Sequence, residues 1–176
     1  LNTDNPVGWN WINQGKEFLW ISEKDGWRHI YKISRDGKNT TLITKGNYDI
    51  DKLLAVDELN NFIYFTASPK NATELYLYRT RLVLGKDEPD LMSNPKQKGT
   101  HEYDVSPGGK YALHSFSNYN TYPASEWVTL LDNRPINAAK SIEKNIKIDT
   151  KKDIEYLQIK TEDNIVLDAW INKPKN

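Results

Sequence analysis

Phe18-Leu19-Trp20-Ile21-Ser22-Glu23-Lys24-Asp25-Gly26-Trp27-Arg28-His29-Ile30-Tyr31 is the stretch on which the fold turns. Both ends are short runs rich in aromatic and β-branched residues, which suit a pleated, half-buried surface. Between them Lys24-Asp25-Gly26 supplies a turn whose glycine accepts positive φ. The stretch reads as an antiparallel hairpin, and the rest of the chain repeats that theme.

Working outward, further strands are expected near Thr40 to Thr44, Phe62 to Ala67, Glu74 to Thr80, Tyr111 to Phe116 and Trp127 to Asp132, with the quoted hairpin giving Phe18 to Ser22 and His29 to Ser34. Arg35-Asp36-Gly37 and Pro107-Gly108-Gly109 carry the same turn chemistry. No stretch reads as a helix. Phe18-Leu19-Trp20-Ile21-Ser22, Phe62-Ile63-Tyr64-Phe65-Thr66 and Tyr111-Ala112-Leu113-His114-Ser115 recur at intervals of 44 and 49 residues. A sheet unit repeated at that spacing fits the blades of a β-propeller, although a plain sandwich can produce it too.

Composition narrows the function classes. The 176 residues carry 24 basic and 24 acidic side chains, so no field of one sign draws in nucleic acid or an anionic membrane. No apolar run approaches the ~18 residues of a membrane helix, and the N-terminus lacks a signal-peptide layout. Cysteine is absent, which removes disulfides, thiol nucleophiles and thiolate zinc sites. Asn71-Ala72-Thr73 matches a glycosylation sequon. Six Trp and 10 Tyr against 4 Phe point to half-buried sheet faces.

Two segments break the pattern. Leu84 to Thr100, polar and holding Pro89 and Pro95, is expected to be a long connection between blades. Asn137 to Lys152 is lysine-rich and is expected to be a linker. Beyond it Ile154 to Lys160 and Ile165 to Ile171 alternate about Thr161-Glu162-Asp163-Asn164, where Asn tolerates positive φ. Ile165, Leu167, Ala169 and Ile171 share one face and Val166 and Trp170 the other, so this hairpin expects cover on both sides.

The quoted stretch resembles the late-propeller segment of dipeptidyl peptidase IV relatives, in the prolyl oligopeptidase family of serine peptidases. Ile43-Thr44-Lys45-Gly46-Asn47-Tyr48-Asp49, Asn61-Phe62-Ile63-Tyr64-Phe65, Tyr103-Asp104-Val105-Ser106-Pro107 and His114-Ser115-Phe116-Ser117 follow in the family's order. Thr161 to Pro174 is similar to the hairpin that opens the family's α/β-hydrolase domain, with Asn164 where Gly is commoner.

The resemblance implies an all-β chain of about three antiparallel blades in an incomplete ring over 1–148. It also implies a linker and opening hydrolase hairpin over 149–176. The parent would be a serine dipeptidyl peptidase releasing N-terminal dipeptides from peptide substrates, in a bacterial periplasm or at the cell surface. This piece would serve as scaffold over the active site and be inactive alone. Its uncovered blade faces would favour self-association. The rival reading is a stand-alone propeller-like module binding peptide or glycan.

The residues carry little chemistry of their own. No Gly-x-Ser-x-Gly elbow occurs, so no catalytic residue is assigned, and neither a metal nor another cofactor is expected. His101, Glu102 and Asp104 are expected to face water at a strand start. His114 is expected to be a satisfied core histidine, in a different blade segment from His29 and His101. Trp27, Arg28 and His29 form the most motif-like cluster. A carboxylate clamp by Arg28 and a stacking plate at Trp27 stand against a structural hairpin whose Arg and His satisfy backbone carbonyls, and the hairpin is preferred. Trp20 and Trp27 are both assigned to packing. In relatives the Asp4 to Trp11 region approaches the substrate cavity, which makes Asn5 and Trp9 substrate-proximal candidates.

Overall fold

Successive residues of a strand point to opposite faces, and a strand covered on one side only buries every second residue. Phe62–Ala67 does more. Ile63, Phe65 and Ala67 are fully buried on one face, and Tyr64 and Thr66 are nearly so on the other. This strand therefore lies in a sheet sandwiched between two others.

The structure is a computed structural model that describes residues 10–83, 88–119, 121–136 and 154–173. Three four-stranded antiparallel sheets follow one another, each a meander in chain order. The first is β1 (Asn10–Ile12), β2 (Glu17–Ser22), β3 (His29–Ser34) and β4 (Thr40–Leu42). The second is β5 (Ile50–Asp57), β6 (Phe62–Ala67), β7 (Tyr76–Arg81) and β8 (Asp90–Leu91). The third is β9 (Thr100–Val105), β10 (Tyr111–Asn118), β11 (Thr121–Thr129) and β12 (Arg134–Pro135). β13 (Ile154–Lys160) and β14 (Val166–Asn172) form a separate hairpin. Among the described residues the sheets do not close into a ring, and the only helical element is a 3-10 turn at Asn13–Gly15.

The stack is held by two apolar layers. Leu19 and Ile30 of the first sheet, with Ile43 just past β4, meet Ile50, Ile63 and Phe65 of the second. On the second sheet's other face Tyr64 and Leu77 meet Tyr103, Ala112 and Val128 of the third, with Leu130 just past β11. Burying a large aliphatic or aromatic side chain contributes roughly 1.5 to 3 kcal/mol, so these layers dominate the packing. Polar ties cross both seams: the Asn13 N–H donates to Glu58 Oε2 (2.6 Å) and Arg79 Nη1 to the Leu131 carbonyl (2.7 Å).

Several strands depart from expectation. β5 escapes detection because its ladder to β6 slips between Ile50 and Lys52 and again between Leu53 and Ala55, and each bulge resets the alternation. The polar connection from Leu84 to Thr100 contains β8, the outer strand of its sheet, and ends at the first residue of β9. β11 begins at Thr121 rather than near Trp127, and its first five residues are exposed, which leaves them without an apolar signature. The turns behave as read: Gly26 has φ 96° and Asn164 has φ 65°.

In the terminal hairpin Tyr156 pairs with Trp170 and Ile159 with Leu167. Among the described residues neither face is covered by a sheet. Leu157, Ile159, Leu167 and Ile171, like Val166 and Trp170 opposite, stay largely exposed. One edge contact, Tyr119 to Tyr156 at 5.8 Å, links it to the third sheet. The expected linker over Asn137 to Lys152, with Asn5 and Trp9, lies outside the described residues.

Candidate functional site

The β2–β3 hairpin tip, the β4–β5 connection and the β6–β7 loop meet at one end of the seam between the first two sheets. They enclose a groove of about 780 Å³ whose walls include Trp27, Arg28, Asp49, Asp51 and Lys70. Local sequence explains the tip. The Asp25 carboxylate accepts from the Trp27 N–H (3.3 Å), Gly26 takes positive φ, and the chain reverses into β3.

The Trp27-Arg28-His29 motif works mainly through its backbone. The Arg28 N–H donates to Asp49 Oδ1 (2.6 Å) and its carbonyl accepts from the Ile50 N–H (2.9 Å). These bonds clasp the hairpin to the connection that enters the second sheet. Asp49 is the clasp residue that sequence reasoning missed; the Gly46-Asn47-Tyr48-Asp49 turn just before an apolar run was its only signal. His29 is buried, with Nδ1 3.0 Å from Asp25 Oδ2. Its partner is thus a carboxylate and not a backbone carbonyl. The hydrogen bond with His29 holds the Asp25 carboxyl down, at about 2.

The two tryptophans separate. Trp20 is half-buried, opposite Tyr31 across the β2–β3 ladder. Trp27 is 39% exposed on the groove rim, which corrects its assignment to packing: a tip residue has no neighbouring sheet to cover it.

The histidines need a second correction. Glu102 and Asp104 are exposed as expected, but His101 is fully buried. It shares the third sheet with His114, and His101 Nδ1 lies 2.9 Å from His114 Nε2. They are one unit rather than members of separate blades, because the β9–β10 register sets His101 and Tyr103 on the same face as His114. His114 is the buried, partnered histidine expected of it, and its Nδ1 lies 3.2 Å from Glu126 Oε1.

No arrangement for acyl transfer emerges among the described residues. Ser115 Oγ pairs with Ser125 Oγ at 2.8 Å, Ser106 Oγ accepts from the Tyr111 N–H at 3.2 Å, and no serine hydroxyl is hydrogen-bonded to an imidazole. No group of three or more His, Asp or Glu side chains among them is placed to hold a metal. No helix among them is long and apolar enough to cross a membrane.

Residues 3–123 match the family described as the dipeptidyl peptidase IV (DPP IV) N-terminal region. The chain is 28% identical over 134 residues to dipeptidyl peptidase 4 of Trichophyton equinum, covering 74% of this chain and 17% of that protein. It is 28% identical over 142 residues to dipeptidyl peptidase 4 of Arthroderma otae, covering 78% of this chain and 18% of that protein. The chain thus spans less than a fifth of these relatives. A crystal structure of Porphyromonas gingivalis dipeptidyl peptidase 4 superposes with a TM-score of 0.73 at 24% identity, over 94% of this chain and 23% of that one. A putative dipeptidyl aminopeptidase IV from Bacteroides ovatus gives a TM-score of 0.74 at 15% identity, over 94% and 26%. Both share the fold of stacked antiparallel blades. With more than half of its length matched by the family model, the chain belongs to the dipeptidyl peptidase IV N-terminal region family.

Proposed function

We propose that this chain is the closing part of the β-propeller, residues 1–148, and the opening of the hydrolase domain, residues 149–176, of a serine-type dipeptidyl peptidase that removes dipeptides from peptide N-termini. Its own role is scaffold: three blades that help roof the active site, with the nucleophile, base and acid supplied elsewhere in the parent. The observation that carries this reading is the hairpin Ile154 to Asn172, which presents apolar side chains on both faces with no sheet against either among the described residues. A free-standing binding module gains nothing from such a hairpin, whereas a hydrolase sheet buries both of its faces.

For the parent's compartment we propose the bacterial periplasm or the cell surface, on the cysteine-free composition together with the family. The isolated chain should self-associate through its uncovered blade and hairpin faces. Light scattering checks this, and a strict monomer at high concentration argues against it.

The functional test compares two proteins. The 176-residue chain should neither cleave a chromogenic Gly-Pro substrate nor react with a fluorophosphonate probe. The chain extended through the upstream propeller and the downstream hydrolase should do both, with label on a serine in a Gly-x-Ser-x-Gly turn. Labelling of the short chain at one defined serine would overturn the scaffold role.

A further inference from the structure

Two imidazoles lie between the second and third sheets in an unbroken line of hydrogen-bonding atoms. The Gln97 carbonyl is 2.8 Å from His101 Nε2, His101 Nδ1 is 2.9 Å from His114 Nε2, and His114 Nδ1 is 3.2 Å from Glu126 Oε1. The two ring planes are within 6° of parallel with centroids 5.1 Å apart, the separation that an in-line bond between ring nitrogens gives.

The two ends of this line, a backbone carbonyl and a carboxylate, only accept. Three contacts need three hydrogens, and two neutral imidazoles bring two. Whenever both rings are neutral, one contact lacks a donor. A single added proton completes all three.

Mobility decides which contact gives way. The Gln97 carbonyl is part of the backbone. The nitrogen-to-nitrogen contact joins two buried rings held by Tyr76 (5.1 Å from His101), Phe116 (4.8 Å from His101) and Tyr103 (4.6 Å from His114). The Glu126 side chain is 40% exposed and has water to turn towards. Hydrogens therefore stay on both Nε2 atoms, and the contact between His114 Nδ1 and Glu126 is the one that opens.

The other titratable groups around the rings are Tyr76, Glu74 and Tyr103. The Tyr76 hydroxyl donates to Glu74 Oε2 at 2.7 Å, and the Tyr103 hydroxyl meets Ser93 Oγ at 3.1 Å. Burial pushes Tyr76 up to about 12 and raises Tyr103, so neither ionises near neutrality. Burial also holds both imidazoles below the ordinary histidine value, with Glu126 pulling His114 part of the way back.

We propose that His101, His114 and Glu126 form an acid-operated latch, in which one proton taken up at His114 Nδ1 docks Glu126 of β11 onto His114 of β10 while His101 stays neutral. The structure shows the docked arrangement. A second charge does not enter, because two imidazolium rings joined nitrogen to nitrogen would repel each other and leave their shared contact without an acceptor. The latch sits where β9 and β10 pack against Tyr76 of the second sheet, so its state bears on the seam between those blades.

The test is long-range proton–nitrogen NMR of the 176-residue chain labelled with ¹⁵N-histidine, followed from neutral into mildly acidic pH. Only three histidines contribute, and His29 serves as the internal reference. Within the pair, the expected result is one step in which His114 Nδ1, and not His101, passes from the unprotonated to the protonated form. In Glu126→Gln that step should move to lower pH with the His29 signals unchanged. Because Glu126 is part-exposed, this variant should keep its fold. Uptake of two protons by the pair, charging of His101 in place of His114, or an unmoved step in Glu126→Gln would each overturn the latch.

Discussion

His29 Nδ1 lies 3.0 Å from Asp25 Oδ2, so a buried imidazole at the start of β3 is tied to a carboxylate in the turn four residues earlier. Removing the carboxylate leaves that nitrogen buried without its partner, and buried unpaired polar groups are costly. Asp25→Ala should lower the urea midpoint, whereas Asp25→Asn, which keeps an acceptor, should lower it less. The folded Asp25 carboxyl sits at about 2, below the ordinary 3.8, so its stabilisation is present above that ordinary value and is lost as pH falls through about 2. Asp25→Asn should lack this acid-dependent component, which urea melts across that interval measure.

The histidine pair gives a second pH dependence at higher pH. His101 and His114 are held below their ordinary 6.5 by burial, so the unfolded chain binds protons before the folded one. Stability is fully present above that value and declines as pH drops through it towards the folded values. Glu126→Gln, which takes away the group that supports a proton on His114, should make the decline steeper. Denaturant midpoints at neutral pH and about one to two units lower check the sign.

Gly99 joins the second and third sheets: its carbonyl accepts from the Leu75 N–H at 3.0 Å, and the Leu75 carbonyl in turn accepts from the His101 N–H at 2.9 Å. At φ 152° a side chain is strained, and a Cβ there would collide with the Ser117 carbonyl and the Asn118 Cβ. Gly99→Ala should therefore cost upwards of about 1 kcal/mol, read as a lower melting temperature. Gly37→Ala has an unfavourable φ but open space around its Cβ, and should cost less.

Trp20 and Trp27 should respond differently to truncation. Trp20→Ala opens a gap on a sheet face opposite Tyr31 and should approach the roughly 3 kcal/mol lower end for large aromatic deletions. Trp27→Ala, at an exposed groove rim, should cost about 1 kcal/mol or less. Thermal melts of the two variants separate them, and equal losses would place Trp27 back in the packing.

The sequence by itself determined the blades' inner strands and tight turns. β3, β6 and β13 begin and end where their residues predict, because an alternating run of β-branched and aromatic residues bounded by turn residues is a local signal. It also determined that the last hairpin carries apolar residues on both faces. Only the tertiary structure decided that the second sheet is the one buried on both sides, that β5 is a strand despite two bulges, and that Asp49 clasps the Arg28 backbone. It alone brought His101, His114 and Glu126 into one line. Alternation along a strand reports which residues share a face, but partners in different strands are chosen by register and by the stacking of whole sheets, which no local pattern records.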